Sequence, residues 1–97
     1  MAKYIYPAVF EQEGNQFTAY FPDFESCYTQ GDTLQEAFEM AEDVLCLTLY
    51  NLEENKTAIP APSDPKNISV SGDAIVSLIA CDTSVYRKYN DNNAERK

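Results

Sequence analysis

The residues best able to do chemistry cluster in YFPDFESCYTQGDT, Tyr20 to Thr33. Asp23, Glu25 and Asp32 could hold a cation. Cys27 could act as a nucleophile, and Gly31, before a helix start, could cradle a phosphate. Each chemistry makes demands that can be checked. Two-metal phosphodiester cleavage needs carboxylates projecting from the middle of neighbouring strands, so that two cations sit about 4 Å apart. The first strand-like segment, YIYPAVF, has no acid before Glu11, and the apolar segment AIVSLIACD has none before Asp82. The acids stand at strand ends, where no such cage can be assembled. Cys27 has no histidine to deprotonate it, because the chain contains none. Activation would fall to Lys, Arg or a helix N-terminus; the alternative is a small buried hydrophobe on a strand. The same absence excludes Cys–His catalysis and histidine-containing zinc sites. After Gly31 comes Asp32, which repels phosphate where a phosphate loop presents Lys and Ser. The sequence therefore predicts no catalytic residue, no metal site and no cofactor. The PDFE loop remains as a binding surface, with Asp23, Phe24 and Glu25 as candidate partner contacts.

Composition agrees with a binding role. The chain has 97 residues, enough for one small domain, and 44% of them are hydrophobic, so it buries a core. We expect a single domain over residues 1–90 and a polar tail over 91–97. Seven basic residues against sixteen acidic ones give a net charge of −9. That charge serves solubility, or attraction of a basic protein. Binding a nucleic-acid backbone directly needs clustered Lys and Arg. The largest basic groups are Arg87-Lys88 and Arg96-Lys97, so direct nucleic-acid binding is not expected unless an oligomer gathers them. Cys27, Cys46 and Cys81 are odd in number, far apart and without C-x-x-C spacing. They read as free, mostly buried thiols in a reducing, cytoplasmic setting. No run approaches the roughly 20 apolar residues of a membrane span.

The elements that position these residues follow from periodicity. YIYPAVFE, residues 4–11, reads as a strand apolar on both faces, and Pro7 demands an edge or a bulge on at least one side. A turn at QEGN leads to QFTAYF, whose alternation puts Phe17, Ala19 and Phe21 on one face and Gln16, Thr18 and Tyr20 on the other. PDFES interrupts, and SCYTQG adds a short third strand ending at Gly31. Thr33-x-x-Glu36 fits a capping box for a helix over about 33–53, with its apolar stripe running from Leu34 to Leu52. Met40 and Leu47 lie one heptad apart beside that stripe, as peripheral core or as contacts in an oligomer. Glu53 to Gly72 is a long connector, and residues 74–82, lacking a polar face, read as a central strand buried on both sides. Asp82-Thr83-Ser84 caps a short helix over VYRKYN. The fold class is thus α+β: a three-stranded antiparallel meander, a long helix packed on the sheet, a fourth buried strand and a short C-terminal helix, in the order β-β-β-α-β-α.

Four segments in order, YPAVFE, FPDFESCYTQGDTLQEAFEMA, IPAPSD and IVSLIACDTSVYRKY, resemble the HicB family of antitoxins over nearly the whole chain. The middle segment, with FPD and then C-x-T-Q-G-D-T, is the most specific, and D-T-S-x-Y-R-K is a second match. The resemblance implies a partial ribonuclease H-like fold without nuclease activity. It also implies a HicA-like toxin partner, a small basic protein that cleaves messenger RNA with a histidine and whose active surface the antitoxin masks. The alternative is a stand-alone oligomeric regulator, or an RNA-associated protein of the same fold, with no toxin. Many family members carry Pro-Gly-Cys where this chain has Glu25-Ser26-Cys27. Many also continue past the Tyr-Arg-Lys segment into a DNA-binding module, so this chain reads as a short form without one. We expect self-association, from the doubly apolar first strand, Pro7, Met40 and Leu47.

Overall fold

A computed structural model describes residues 3–25, 27–70 and 72–86. The strands are β1 (Lys3–Glu13), β2 (Gln16–Tyr20), β3 (Tyr28–Gly31) and β4 (Ile75–Asp82), with the helix α1 (Leu34–Glu54) between β3 and β4. They form one antiparallel sheet in the order β3-β2-β1-β4. Residues 83–86 are helical; the rest of the expected C-terminal helix, with Arg87 and Lys88, and the tail over 91–97 lie outside the described residues.

The hairpin turns at Gly14, whose φ of 59° is the left-handed conformation glycine adopts freely. Alternation then sorts the side chains. Tyr6, Ala8 and Phe10 of β1, Ala19 of β2, Phe21 just beyond it, and Ile79 and Cys81 of β4 join one core with Ala37, Ala41, Leu45 and Leu49 of α1. The four helix residues recur every fourth position, which keeps one stripe against the sheet. Phe38 stacks on Phe10 with ring centroids 4.7 Å apart.

Both ends of α1 are capped. The Thr33 hydroxyl accepts from the Glu36 N–H at 3.0 Å. The Glu36 carboxylate reaches back to the Asp32 N–H at 2.6 Å, one residue earlier than the reciprocal bond of a capping box. At the other end Lys56 takes a φ of 54°, its N–H donates to the Glu53 carbonyl, and the Thr57 N–H donates to the Leu52 carbonyl. This is a Schellman closure with lysine where glycine is usual. Inside that turn the Glu53 carboxylate accepts from Tyr4 Oη at 2.8 Å and from the buried Thr83 hydroxyl at 2.9 Å. One side chain thereby ties β1, α1 and the start of the last helix together.

Three expectations need correcting or refining. β4 is not a central strand buried on both sides: it is the outer strand of the sheet, and Leu78 is 54% exposed. Only Ile79 and Cys81, facing α1, are buried. β1 takes the interior position, yet Pro7 is accommodated because the β2 ladder reaches only to Val9. Opposite Pro7 there is one neighbour, Leu78 of β4. The cysteines are not all free thiols. Cys46 of α1 and Cys81 of β4 form a disulfide across a Cα–Cα distance of 5.6 Å, and Cys27 alone is free. Cysteine spacing along the chain carries no sign of this pairing, because helix packing brings together residues 35 apart.

Candidate partner-binding surface

The PDFE loop is closed by its own backbone. The Phe24 N–H donates to the Phe21 carbonyl, and the Phe21 N–H donates to the Cys27 carbonyl, both at 3.0 Å. The tight turn presents its three candidate residues differently. Asp23 is half-buried and accepts from the Ser63 N–H at 3.0 Å and from the Ser63 hydroxyl, so it pins the long connector to the sheet. Phe24 is half-buried too, its ring 4.8 Å from that of Tyr6. Tyr6 in turn donates to the Pro60 carbonyl and anchors the same connector. Glu25 is exposed. The loop is therefore less open than the sequence suggested, with two of its candidates holding architecture and one displayed.

Beside the loop, on the face of β2 and β3 turned away from α1, lies a recess of about 590 Å³. Tyr20 and Tyr28, directly opposite each other in the β2–β3 register, line it with Pro22, Phe24 and Glu25. Tyr28 is 71% exposed. Tyrosine offers a large apolar area with a polar tip at small entropic cost, which is why it recurs as an anchor at protein interfaces. The sequence put Tyr20 on the outward face of its strand, but the short third strand gave no periodicity from which to add Tyr28. The recess is thus an aromatic floor with the Glu13 and Glu25 carboxylates in its lining.

The arrangement does not activate Cys27. Its thiol is buried, and burial pushes its pKa up against the lowering effect of the Thr48 hydroxyl, which donates to Sγ at 3.5 Å. Thr48 lies deep in α1, so the helix N-terminus that could have lowered the pKa is not the part of α1 that Cys27 meets. Asp32 and Asp82 follow β3 and end β4, the two opposite edges of the sheet. Asp82 accepts from the Ser84 N–H at 2.9 Å and starts the terminal helical turn. Among the described residues no three His, Cys, Asp or Glu side chains gather as a metal site. Gly31 acts in packing, because a β-carbon there would lie 2.8 Å from the Ala37 backbone nitrogen. Met40 and Leu47 are 43% and 45% exposed on α1, outside the core stripe. None of the described helices is long and apolar enough to cross a membrane.

A four-stranded antiparallel sheet with one long helix on a single face, and carboxylates only at its margins, defines an α+β domain of sheet and helix in two layers. The chain belongs to the HicB-like antitoxin family of bacterial toxin–antitoxin systems, whose family model matches residues 3–82. Antitoxin HicB 2 of Photorhabdus laumondii is 35% identical over 75 residues, which cover 77% of this chain and 50% of that protein. Antitoxin HicB 1 of the same organism is 42% identical over 59 residues, 59% of this chain and 37% of that protein. The chain thus spans half or less of the length of these curated relatives. Among solved structures, a chain of a toxin–antitoxin complex from Streptococcus pneumoniae superposes with a TM-score of 0.78 at 28% identity, covering 88% of this chain and 73% of that one. A chain of a HicA3–HicB3 toxin–antitoxin complex shares the fold, with a TM-score of 0.66 at 24% identity over 81% of this chain and 99% of that one.

Proposed function

We propose that this chain is a non-enzymatic antitoxin that binds and masks a small basic, HicA-like RNA-cleaving toxin. The observation that carries the reading is the family match across residues 3–82, in a chain with a net charge of −9. The recess of Tyr20 and Tyr28 supports it by supplying aromatic anchors, with Glu25 at the rim. Long-range attraction between an acidic antitoxin and a basic toxin raises the encounter rate, and desolvated aromatic contacts slow dissociation. In this reading Asp23 and Phe24 contribute by fixing the loop from which Glu25 and the tyrosines are offered. Met40 and Leu47, apolar and exposed, are proposed as contacts in a homo-oligomer.

The test is co-purification with any small basic protein encoded beside the gene. We expect a complex at micromolar concentration that suppresses RNA cleavage by that protein. Tyr28→Ala should weaken binding about 10-fold or more, as loss of an aromatic anchor does, and Glu25→Lys should mainly slow association. Absence of a complex at micromolar concentration in low salt would overturn the proposal.

A further inference from the structure

The outer edge of β4 is unusual. The strand pairs with β1 in unbroken register from Phe10↔Ile75 to Lys3↔Asp82, so no bulge twists it away from a newcomer. On its other side no backbone hydrogen bond reaches it from the described residues. From Ile75 to Cys81 it carries neither charge nor proline. Soluble proteins ordinarily blunt an edge with lysine, proline, a bulge or extreme shortness, because a row of unpaired N–H and C=O groups is a template for another strand. β4 is eight residues long and has none of these protections, and what lies near it from the connector is the single turn at Pro65–Asn67.

This edge is also the floor of a groove. Alongside Ala80 to Asp82, a channel of about 390 Å³ runs between α1 and residues 85 and 86. Glu42 and Asp43 of α1 and Asp82 of β4 supply its carboxylates; Val85, 65% exposed, supplies an apolar wall. An unpaired strand edge, an apolar wall and three acids together select an extended segment that carries Lys or Arg.

We propose that this groove takes a strand of the basic partner, added to β4 as a fifth strand of the sheet. Main-chain hydrogen bonds supply the register, and cationic side chains meet the exposed Glu42 and Asp43, with Asp82, held by the Ser84 N–H, adding only to the field. This rests on the reading of the chain as an antitoxin for a basic toxin, and it deepens that reading by giving the toxin a second foothold. β3 and β4 are opposite edges of the sheet, so the groove is separate from the recess of Tyr20 and Tyr28. A second copy of this chain is the poorer occupant. Each copy carries a net charge of −9, so two copies repel one another at long range, and neither supplies the cationic segment that Glu42 and Asp43 select.

Hydrogen–deuterium exchange tests this on the full chain, free and in complex with the small basic protein encoded beside its gene. The expected result is at least 10-fold slower exchange of β4 amides in the complex. The double variant Glu42→Lys/Asp43→Lys should weaken binding at least 10-fold. Reversing as many charges at the far end of β4, with Glu11→Lys/Asp73→Lys, should change it less than threefold, all melting temperatures being equal. A complex that forms while β4 exchanges as fast as in the free chain overturns the groove and leaves the antitoxin reading standing. Protection of β4 that appears on concentrating the chain alone also overturns it, since a second copy then fills the edge. If no complex forms with the wild-type chain, the antitoxin reading fails, and this proposal with it.

Discussion

Gly31→Ala isolates the packing of the sheet against the start of the helix. Gly31 is the last residue of β3, buried, opposite Phe17. A β-carbon added there would stand 2.8 Å from the Ala37 nitrogen and 3.1 Å from both the carbonyl carbon and the β-carbon of Glu36. Ordinary contact begins at 3.4 Å, so the first clash is at least 0.6 Å too close. The nearest atoms are backbone, held by the Thr33 cap and the bond from the Asp32 N–H to Glu36, and cannot rotate aside. Forcing an extra carbon into a packed site costs about 1–3 kcal/mol. Stiffening the unfolded chain by replacing glycine returns about 0.4–1 kcal/mol. The net loss is about 1–2 kcal/mol, and a domain of this size shifts by roughly 4–8 °C per kcal/mol. Thermal unfolding followed by circular dichroism should therefore show a fall of about 5–15 °C. The control is Gly14→Asn, where φ is 59° but nothing lies within 4 Å of the added carbon. Asparagine tolerates that conformation, so the control should lose little. A Gly31→Ala protein that melts within a degree of wild type, or above it, would refute the packing argument. Equal losses at both glycines would assign the effect to the backbone and not to the contact.

Lys56→Gly should stabilise the chain by about 1 kcal/mol, read as a higher urea midpoint, because lysine now bears the cost of a left-handed residue in the Schellman turn. Cys46→Ser should remove up to about 4 kcal/mol, the chain-entropy value for a link spanning 35 residues. Dithiothreitol should then lower the urea midpoint of the wild type but not of the variant. Stability should also fall in alkali. Burial is the first cause raising the pKa values of Tyr4, Tyr6 and Cys27 above their ordinary values of 10.0, 10.0 and 9.0; the Glu53 carboxylate adds to the rise at Tyr4, and Asp23 at Tyr6. A raised pKa means folding favours the neutral form, so this contribution is complete below pH 9 and is lost as pH climbs through the folded values. Urea midpoints should hold up to about pH 9 and fall as pH rises past 10, and a flat profile would contradict the burial argument.

Local pattern was enough for the elements, and insufficient for what covers them. The stripe through Ala37, Ala41, Leu45 and Leu49 is legible because a helix buries one face at a fixed period. The hairpin is legible because Gly14-Asn15 separates two alternating runs. β4 was misplaced because an apolar strand reads alike at the centre of a sheet and at an edge whose outer face awaits a neighbour. The Cys46–Cys81 bond depends on the rotation of α1 over the sheet, which no local signal encodes. Tyr28 went unselected because a strand of four residues has too few positions to show alternation.

The acidic residues need the same separation between sequence and placement. Glu36, Asp64 and Asp82 each accept a backbone N–H, Asp23 holds Ser63, and Glu53 holds Tyr4 and Thr83. These carboxylates count toward the net charge of −9, and in the proposed function that charge attracts a basic toxin from a distance. At contact they are already engaged within the fold, and turning toward a partner would cost the bonds they make. Glu25, Glu42 and Asp43 are exposed, and each borders a concave surface with an apolar component. On this reasoning, neutralising an engaged acid such as Asp23 should chiefly lower stability, whereas reversing an exposed one should chiefly lower affinity and its dependence on salt. The −9 of the sequence thus divides into acids engaged within the fold and acids left exposed at concave surfaces, and on the proposed function only the second group is free to touch a partner, a distinction drawn by hydrogen bonds and invisible to a count of charges.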